Sequence, residues 1–264
     1  MGTSMHNQNP TIPRRRRWWY HTILIGSYVL CPGILGMVQG KRDFVAVRPH
    51  PVSGVLSSSA HEMILFGLVF GLAFYLSRAT TDDLLLRWRG YFRPIWTGAG
   101  YSIGLRLAMS FFLKLLFVIL VASGALYSHQ VLDLTAAQHS GLSHVVSSSS
   151  LRSSPAYFWI SLLFTSFIMA GLREELWRSA FICGLKALWP EQFSSRLGQI
   201  AAVSIAAAIF GFAHTTQSPL AVLSAGLTGF GLGLIMIYHR SIWPAVIAHG
   251  LFDATSMLAI RFSP

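Results

Sequence analysis

Four long apolar runs, residues 156–188, 199–216, 220–238 and 242–260, follow one another with connections as short as HTTQSP and YHRSI. At about 1.5 Å of rise per residue, a helix of roughly 20 residues crosses the ~30 Å hydrocarbon core of a bilayer. Backbone donors and acceptors cannot stay unpaired in lipid, so a chain built from such runs folds as a helical bundle. The short connections make consecutive helices antiparallel neighbours. Three further apolar runs precede these, at about 18–38, 62–77 and 107–126. The expected fold class is all-α: a polytopic transmembrane helical bundle of about seven spans, or eight if residues 95–127 make two crossings.

Composition excludes the soluble alternatives. The chain is 53% hydrophobic and 11% charged, with a mean hydropathy of +0.54, against about 25% charged residues in soluble domains. Its formal net charge is +11, from 20 Lys and Arg against 9 Asp and Glu. A soluble protein so basic would suggest nucleic acid, but no aromatic–basic interleaving accompanies the charge. Basic residues in short loops instead mark segments facing the cytoplasm and its anionic leaflet. Arg14 to Arg17, just before the first apolar run, make that run an uncleaved signal anchor with the N-terminus inside. The expected location is a multi-pass place in a bacterial inner (cytoplasmic) membrane. The expected partners are the lipid bilayer and a membrane-embedded peptide or protein, with no nucleic acid.

Three regions follow: a basic tail, 1–17; an N-terminal transmembrane support region with loops, 18–155; and residues 156–260, which hold the polar groups that need explaining. Within the support region, residues 78–94 carry Arg78, Arg87, Arg89 and Arg93 and have room for a short amphipathic interfacial helix. Lys114 either snorkels or faces the bundle. The Ser- and His-rich loop 127–155 suits the outer face, and its His129, His139 and His144 read as solvated rather than metal-binding. Asp82 and Asp83 read as loop carboxylates. Cys31 and Cys183 form no CxxC and no disulfide framework, and read as small buried hydrophobes. Gly229 and Gly233 read as a helix-packing pair.

Ionisable groups inside a membrane cost at least about 2.5–3.5 kcal/mol each on insertion scales, so they face the bundle interior and serve a purpose. Three constellations qualify. Glu174, Glu175 and Arg178 share one helix. Arg178 stands at i,i+4 from the first glutamate and i,i+3 from the second, while the adjacent carboxylates point about 100° apart and cannot share one role. His214 ends an Ala-rich helix one turn after Phe210. His249 and Asp253, at i,i+4, stack on one face, where the carboxylate can fix the imidazole tautomer. Each set has a bland reading as a self-satisfied buried pair or an interfacial cap. Together they supply a general base, two imidazoles and a supporting carboxylate, which is what activating a water demands. The same Glu174, His214 and His249 could instead hold a divalent metal such as zinc.

In their order, EE…R, FxxxH and HxxxD, these motifs resemble the CAAX prenyl protease and bacteriocin-processing (CPBP, or Abi) family of intramembrane proteases. The resemblance covers about residues 156–260 and implies that this is the catalytic region. It implies that Glu174 is the catalytic glutamate, His214 the helper histidine, and His249 with Asp253 the oxyanion-side pair, Glu175 and Arg178 being supports. The implied activity is endopeptidase cleavage of a membrane-associated substrate, of prenylated CAAX or bacteriocin-like type, by glutamate-activated water without a cofactor. A zinc-dependent variant is the alternative, as is a non-catalytic scaffold or immunity protein of the same fold. A transporter would show inverted repeats, and none is visible.

Two departures bear on the site. The family reads EExxxR; here EELWR is one residue shorter, and Ser179 stands where the arginine is expected. Either the i,i+3 and i,i+4 geometry or a local π-bulge would let Arg178 reach the glutamates. The last motif ends in Asp253 rather than Asn, and an ionised Asp cannot donate to an oxyanion, so Asp253 is expected to orient His249.

Overall fold

The computed structural model describes residues 13–38, 52–127, 129–131, 133, 147–215 and 217–262. Every expected apolar run is helical: α1 (Arg14–Val38), α2 (Val52–Ser77), α3 (Arg93–Ala122), α5 (Pro155–Leu188), α7 (Arg196–Phe212), α8 (Pro219–His239) and α9 (Trp243–Phe262). Two short helices, α4 (Ser148–Ser153) and α6 (Pro190–Phe193), flank α5. No strand occurs among the described residues. Among the described residues, five helices, α2, α3, α5, α8 and α9, are long and apolar enough to cross a membrane. Residues 93–122 form one continuous helix, so this segment does not cross twice.

Helix starts follow local chemistry. Ser154, Ser195 and Ser218 each accept a backbone N–H at the N-cap of α5, α7 and α8, and Pro155 and Pro219 stand just inside two of these caps. The centre of α5 departs from α geometry: Ser161–Glu174 is π-helical, and α-helix resumes over Glu175–Leu188. The irregular stretch therefore ends on the first glutamate of the pair, and α geometry resumes with the second. No bulge separates Glu175 from Arg178.

α5 is the hub. Its first half packs on α9, and its second half on α1 and α7, while α8 lies across α7 and α9. α1 is pinned by His21, whose ring nitrogens each lie 3.0 Å from a carbonyl oxygen, Ala73 on α2 and Ala180 on α5. Trp177 of α5 donates to Ile25 O of α1 at 2.8 Å. One core joins Trp18, Ile25, Phe66, Trp177, Phe181, Val203 and Phe210; another joins Leu232, Met236, Ile242 and Ala245. α3 is the least enclosed of the five membrane-length helices: none of its most apolar stretch is buried, and Leu107, Phe111 and Val118 are exposed. Lys114 is exposed on this helix and does not face the bundle.

The segment between α2 and α3 is not an interfacial helix. It runs through turns, with Leu85 at φ 56, and tucks into the bundle, where Leu84 is 0% exposed. Its carbonyls are taken up in succession. Ser179 Oγ donates to Leu84 O, Ile242 N to Leu85 O at 2.9 Å, Trp243 Nε1 to Leu86 O at 2.8 Å and Ser241 Oγ to Arg87 O at 2.9 Å. An apolar LLL run among arginines suggests a surface-lying helix, but backbone this deep needs partners, and α5, the start of α9 and the two residues before it supply them. Asp82 pairs locally with Arg87 at 2.6 Å, and Asp83 accepts from Thr80, as loop carboxylates do. Cys31 is exposed rather than buried, while Cys183 is half-buried. His139 and His144 lie outside the described residues.

Candidate active site

The site forms where α5 meets α9. Two glycines allow the approach: a Cβ on Gly171 would stand 2.9 Å from Val246 O, and one on Gly250 would stand 2.4 Å from Phe167 Cδ1. Close contact at these points sets the two glutamates of α5 against His249 of α9.

The glutamates divide. Glu175 is fully buried. Its Oε1 accepts from Arg178 Nη1 and from His249 Nδ1, the latter at 3.0 Å. Arg178, also fully buried, lies over the Phe210 ring with its Cζ 4.8 Å from the centroid. Gly229 and Gly233 of α8 make its bed: Cβ atoms there would come 3.3 Å from Arg178 Nη2 and 3.5 Å from its Cδ. The glycine pair packs helices, as expected, and one of the things it packs against is this guanidinium. Arg178 therefore pairs with Glu175 and not with Glu174.

Glu174 stands in a more open place, its side chain 19% exposed. Its Oε1 accepts from Arg173 Nη2 at 3.3 Å, and its Oε2 lies 3.7 Å from His249 Nε2. Asp253 Oδ2 lies 4.0 Å from the same nitrogen, too long for a hydrogen bond. The bond that orients His249 comes from Glu175 instead of Asp253. Because that carboxylate accepts, Nδ1 carries the proton and Nε2 faces Glu174 and Asp253.

His214 follows α7 in a turn. Its Nδ1 donates to Phe210 O at 2.8 Å, and its ring lies against Phe210 with centroids 4.9 Å apart. In the neutral ring this leaves Nε2 as the acceptor. Helix rise alone would separate His214 in depth from α9, yet Asp253 interacts electrostatically with His249, Glu174 and His214 together. Glu174, His249, Asp253 and His214 thus share one neighbourhood, with Glu175 and Arg178 behind His249. Among the described residues, no group of three or more His, Cys, Asp and Glu side chains is arranged to hold a metal ion.

Sequence reasoning passed over three contributors. Arg173 had no role, yet it pairs with both Glu174 and Glu62 of α2. Arg106 of α3 donates to Phe252 O and, at 2.6 Å, to Thr255 Oγ1, with its charge beside Asp253. Phe210 carries both Arg178 and His214. Glu62, the single acidic residue of α2, was the available signal.

Residues 155–255 match the family model of the Rce1-like type II CAAX prenyl endopeptidases. The match is consistent with the family that the motifs resemble. The match lies on α5 to α9 and takes in Glu174, Glu175, Arg178, His214, His249 and Asp253. No curated protein and no solved structure matches the chain.

Proposed function

We propose that the protein is an intramembrane endopeptidase that hydrolyses a peptide bond of a membrane-associated substrate, with Glu174 as the general base. The observation that carries this reading is the split between the glutamates. Glu175 is buried and neutralised by Arg178, whereas Glu174 stays partly open, with Oε2 3.7 Å from His249 Nε2. Contacts of this length suit a bridging water or a substrate oxygen.

Glu174 takes a proton from water as the hydroxide oxygen bonds to the scissile carbonyl carbon. The oxyanion that forms is met by His249, held by Glu175 in the tautomer that places Nδ1–H on the carboxylate. To donate to the oxyanion, Nε2 must carry a proton as well as Nδ1. His214, polarised through Nδ1 by Phe210 O, supports the base. On collapse the C–N bond breaks, and the proton held by Glu174 passes to the leaving amine. Asp253 then acts by charge on His249 rather than by a direct bond.

The family match favours a prenylated CAAX-type C-terminus over a bacteriocin-like peptide as substrate. Arg14 to Arg17 open α1, while Arg78, Arg87 and Arg89 connect α2 to α3 and Arg196 opens α7. This basic end faces the cytoplasm in our reading, in a bacterial inner membrane. The test uses purified protein in detergent with a farnesylated CAAX peptide, its unprenylated form and an unrelated membrane peptide. Glu174→Gln and His214→Ala are expected to lose hydrolysis, and wild type to keep it under strong chelation. Activity equal in wild type and both variants, or absent from all three on every peptide, would overturn the reading. Loss on chelation with recovery on zinc would select the metal route through Glu174, His214 and His249.

A further inference from the structure

Arg173 divides its two terminal nitrogens between α2 and α5. Nη1 pairs with Glu62 Oε2 of α2, and Nη2 donates to Glu174 Oε1 at 3.3 Å. The side chain is 17% exposed, against 53% for Glu62. Tyr28 of α1 interacts with the same guanidinium, so α1, α2 and α5 converge on one cation. Glu62 lies in the first half of the chain, outside residues 155–255.

We propose that Glu62 and Arg173 are positioning residues that set the direction of the Glu174 carboxylate. This rests on Glu174 being the base. A carboxylate has two oxygens, and a base needs one of them free and aimed. By taking Oε1, Arg173 leaves Oε2 toward His249 Nε2. A long arginine held at one end only would sample several rotamers and carry Glu174 with it; Glu62 holds the other end. Glu62 also counters a cation that would otherwise press its full charge on the base. No other acidic residue of α2 could do this, since Glu62 is its single carboxylate.

Other features lead less far. The groove of about 350 Å³ between α3, α7 and α8 is lined mainly by apolar side chains, and nothing in the structure shows what covers it. His21 is fully engaged in packing α1.

The experiment measures kcat and KM on the farnesylated peptide for Glu62→Gln, Glu62→Asp, Arg173→Lys and Glu174→Gln, with thermal unfolding of each. Displacing a reacting group by about 1 Å can reduce a rate about a hundredfold. Glu62→Gln is expected to lower kcat about ten- to a hundredfold, with KM and Tm little changed. Glu62→Asp should recover most of that loss. Arg173→Lys keeps the charge but loses the fork, and combined with Glu62→Gln it should fall less than the product of the two single effects. Wild-type kcat in Glu62→Gln, with Glu174→Gln inactive, overturns the proposal and leaves the function standing. A fall in kcat that merely tracks loss of folded protein across the set also overturns it. Full activity in Glu174→Gln overturns the function, and the proposal with it.

Discussion

Arg178→Met isolates what the buried charge pair does. Glu175 and Arg178 are both 0% exposed, and their bond is one of the two that Glu175 Oε1 accepts. Removing one partner of a buried pair costs about 3–5 kcal/mol, because the other charge stays buried and uncompensated. Here His249 remains as a donor at 3.0 Å, which places the expected loss toward the lower end, about 3 kcal/mol. The intact pair is not itself well compensated: Glu175 Oε2 and Arg178 Nε and Nη2 have no protein hydrogen-bond partner. Replacing both residues by Met should therefore restore stability to within about 1 kcal/mol of wild type, or exceed it. Activity should behave otherwise. Glu175→Met/Arg178→Met removes the acceptor that holds His249 Nδ1, and kcat should remain down by about a hundredfold or more. Reversible unfolding in mixed detergent micelles, followed by tryptophan fluorescence, reads the first quantity; Trp177, 1% exposed beside Arg178, is a local reporter. Peptide hydrolysis reads the second. A single variant within 1 kcal/mol of wild type, or a double variant as unstable as the single, refutes the argument from uncompensated charge. A double variant with full activity refutes the orienting role of Glu175.

Two other substitutions test the packing that builds the site. Gly171→Ala places a Cβ 2.9 Å from the Val246 carbonyl oxygen; the backbone of α9 must shift, at a cost of about 1–3 kcal/mol, and hydrolysis should fall more than stability does. Unchanged Tm and unchanged kcat would show that α5 and α9 are not held at their closest approach. Ser179→Ala removes the hydroxyl that donates to Leu84 O of the inserted loop and should cost about 1–3 kcal/mol by leaving a buried carbonyl unpaired. Limited proteolysis between α2 and α3 should then speed up, with kcat per folded molecule unchanged, since this loop touches none of the proposed reacting groups.

The helices were legible because their signal is local: runs of about 20 apolar residues have one solution in lipid. The loop between α2 and α3 was not, because its burial depends on partners far along the chain. Ser179, Ser241 and Trp243 meet its carbonyls only after α5 and α9 have packed. The site shows the same division. That adjacent glutamates meet different partners followed from their angular separation on a helix. Which of them meets Arg178 did not follow, since i,i+3 and i,i+4 are both within reach.

Neighbouring helices decide the pairing of Arg178. Phe210 of α7 and Gly229 and Gly233 of α8 form the guanidinium's seat on the Glu175 side. Arg173, with Glu62 of α2, already holds Glu174 on the other side. His249 and Asp253 repeat the pattern. Their spacing puts them on one face of α9, but same-face neighbours need not bond. The aspartate stays 4.0 Å from Nε2, while a glutamate from another helix holds Nδ1 at 3.0 Å. Sequence spacing thus fixes which groups can meet within a helix. Helix packing, set here by glycines, by the single carboxylate of α2 and by the charges of α5, fixes which of those meetings occur. One guanidinium therefore stays wholly inside the protein with Glu175, and the other links the partly open Glu174 to α2, so that the two arginines hold the two carboxylates in separate surroundings.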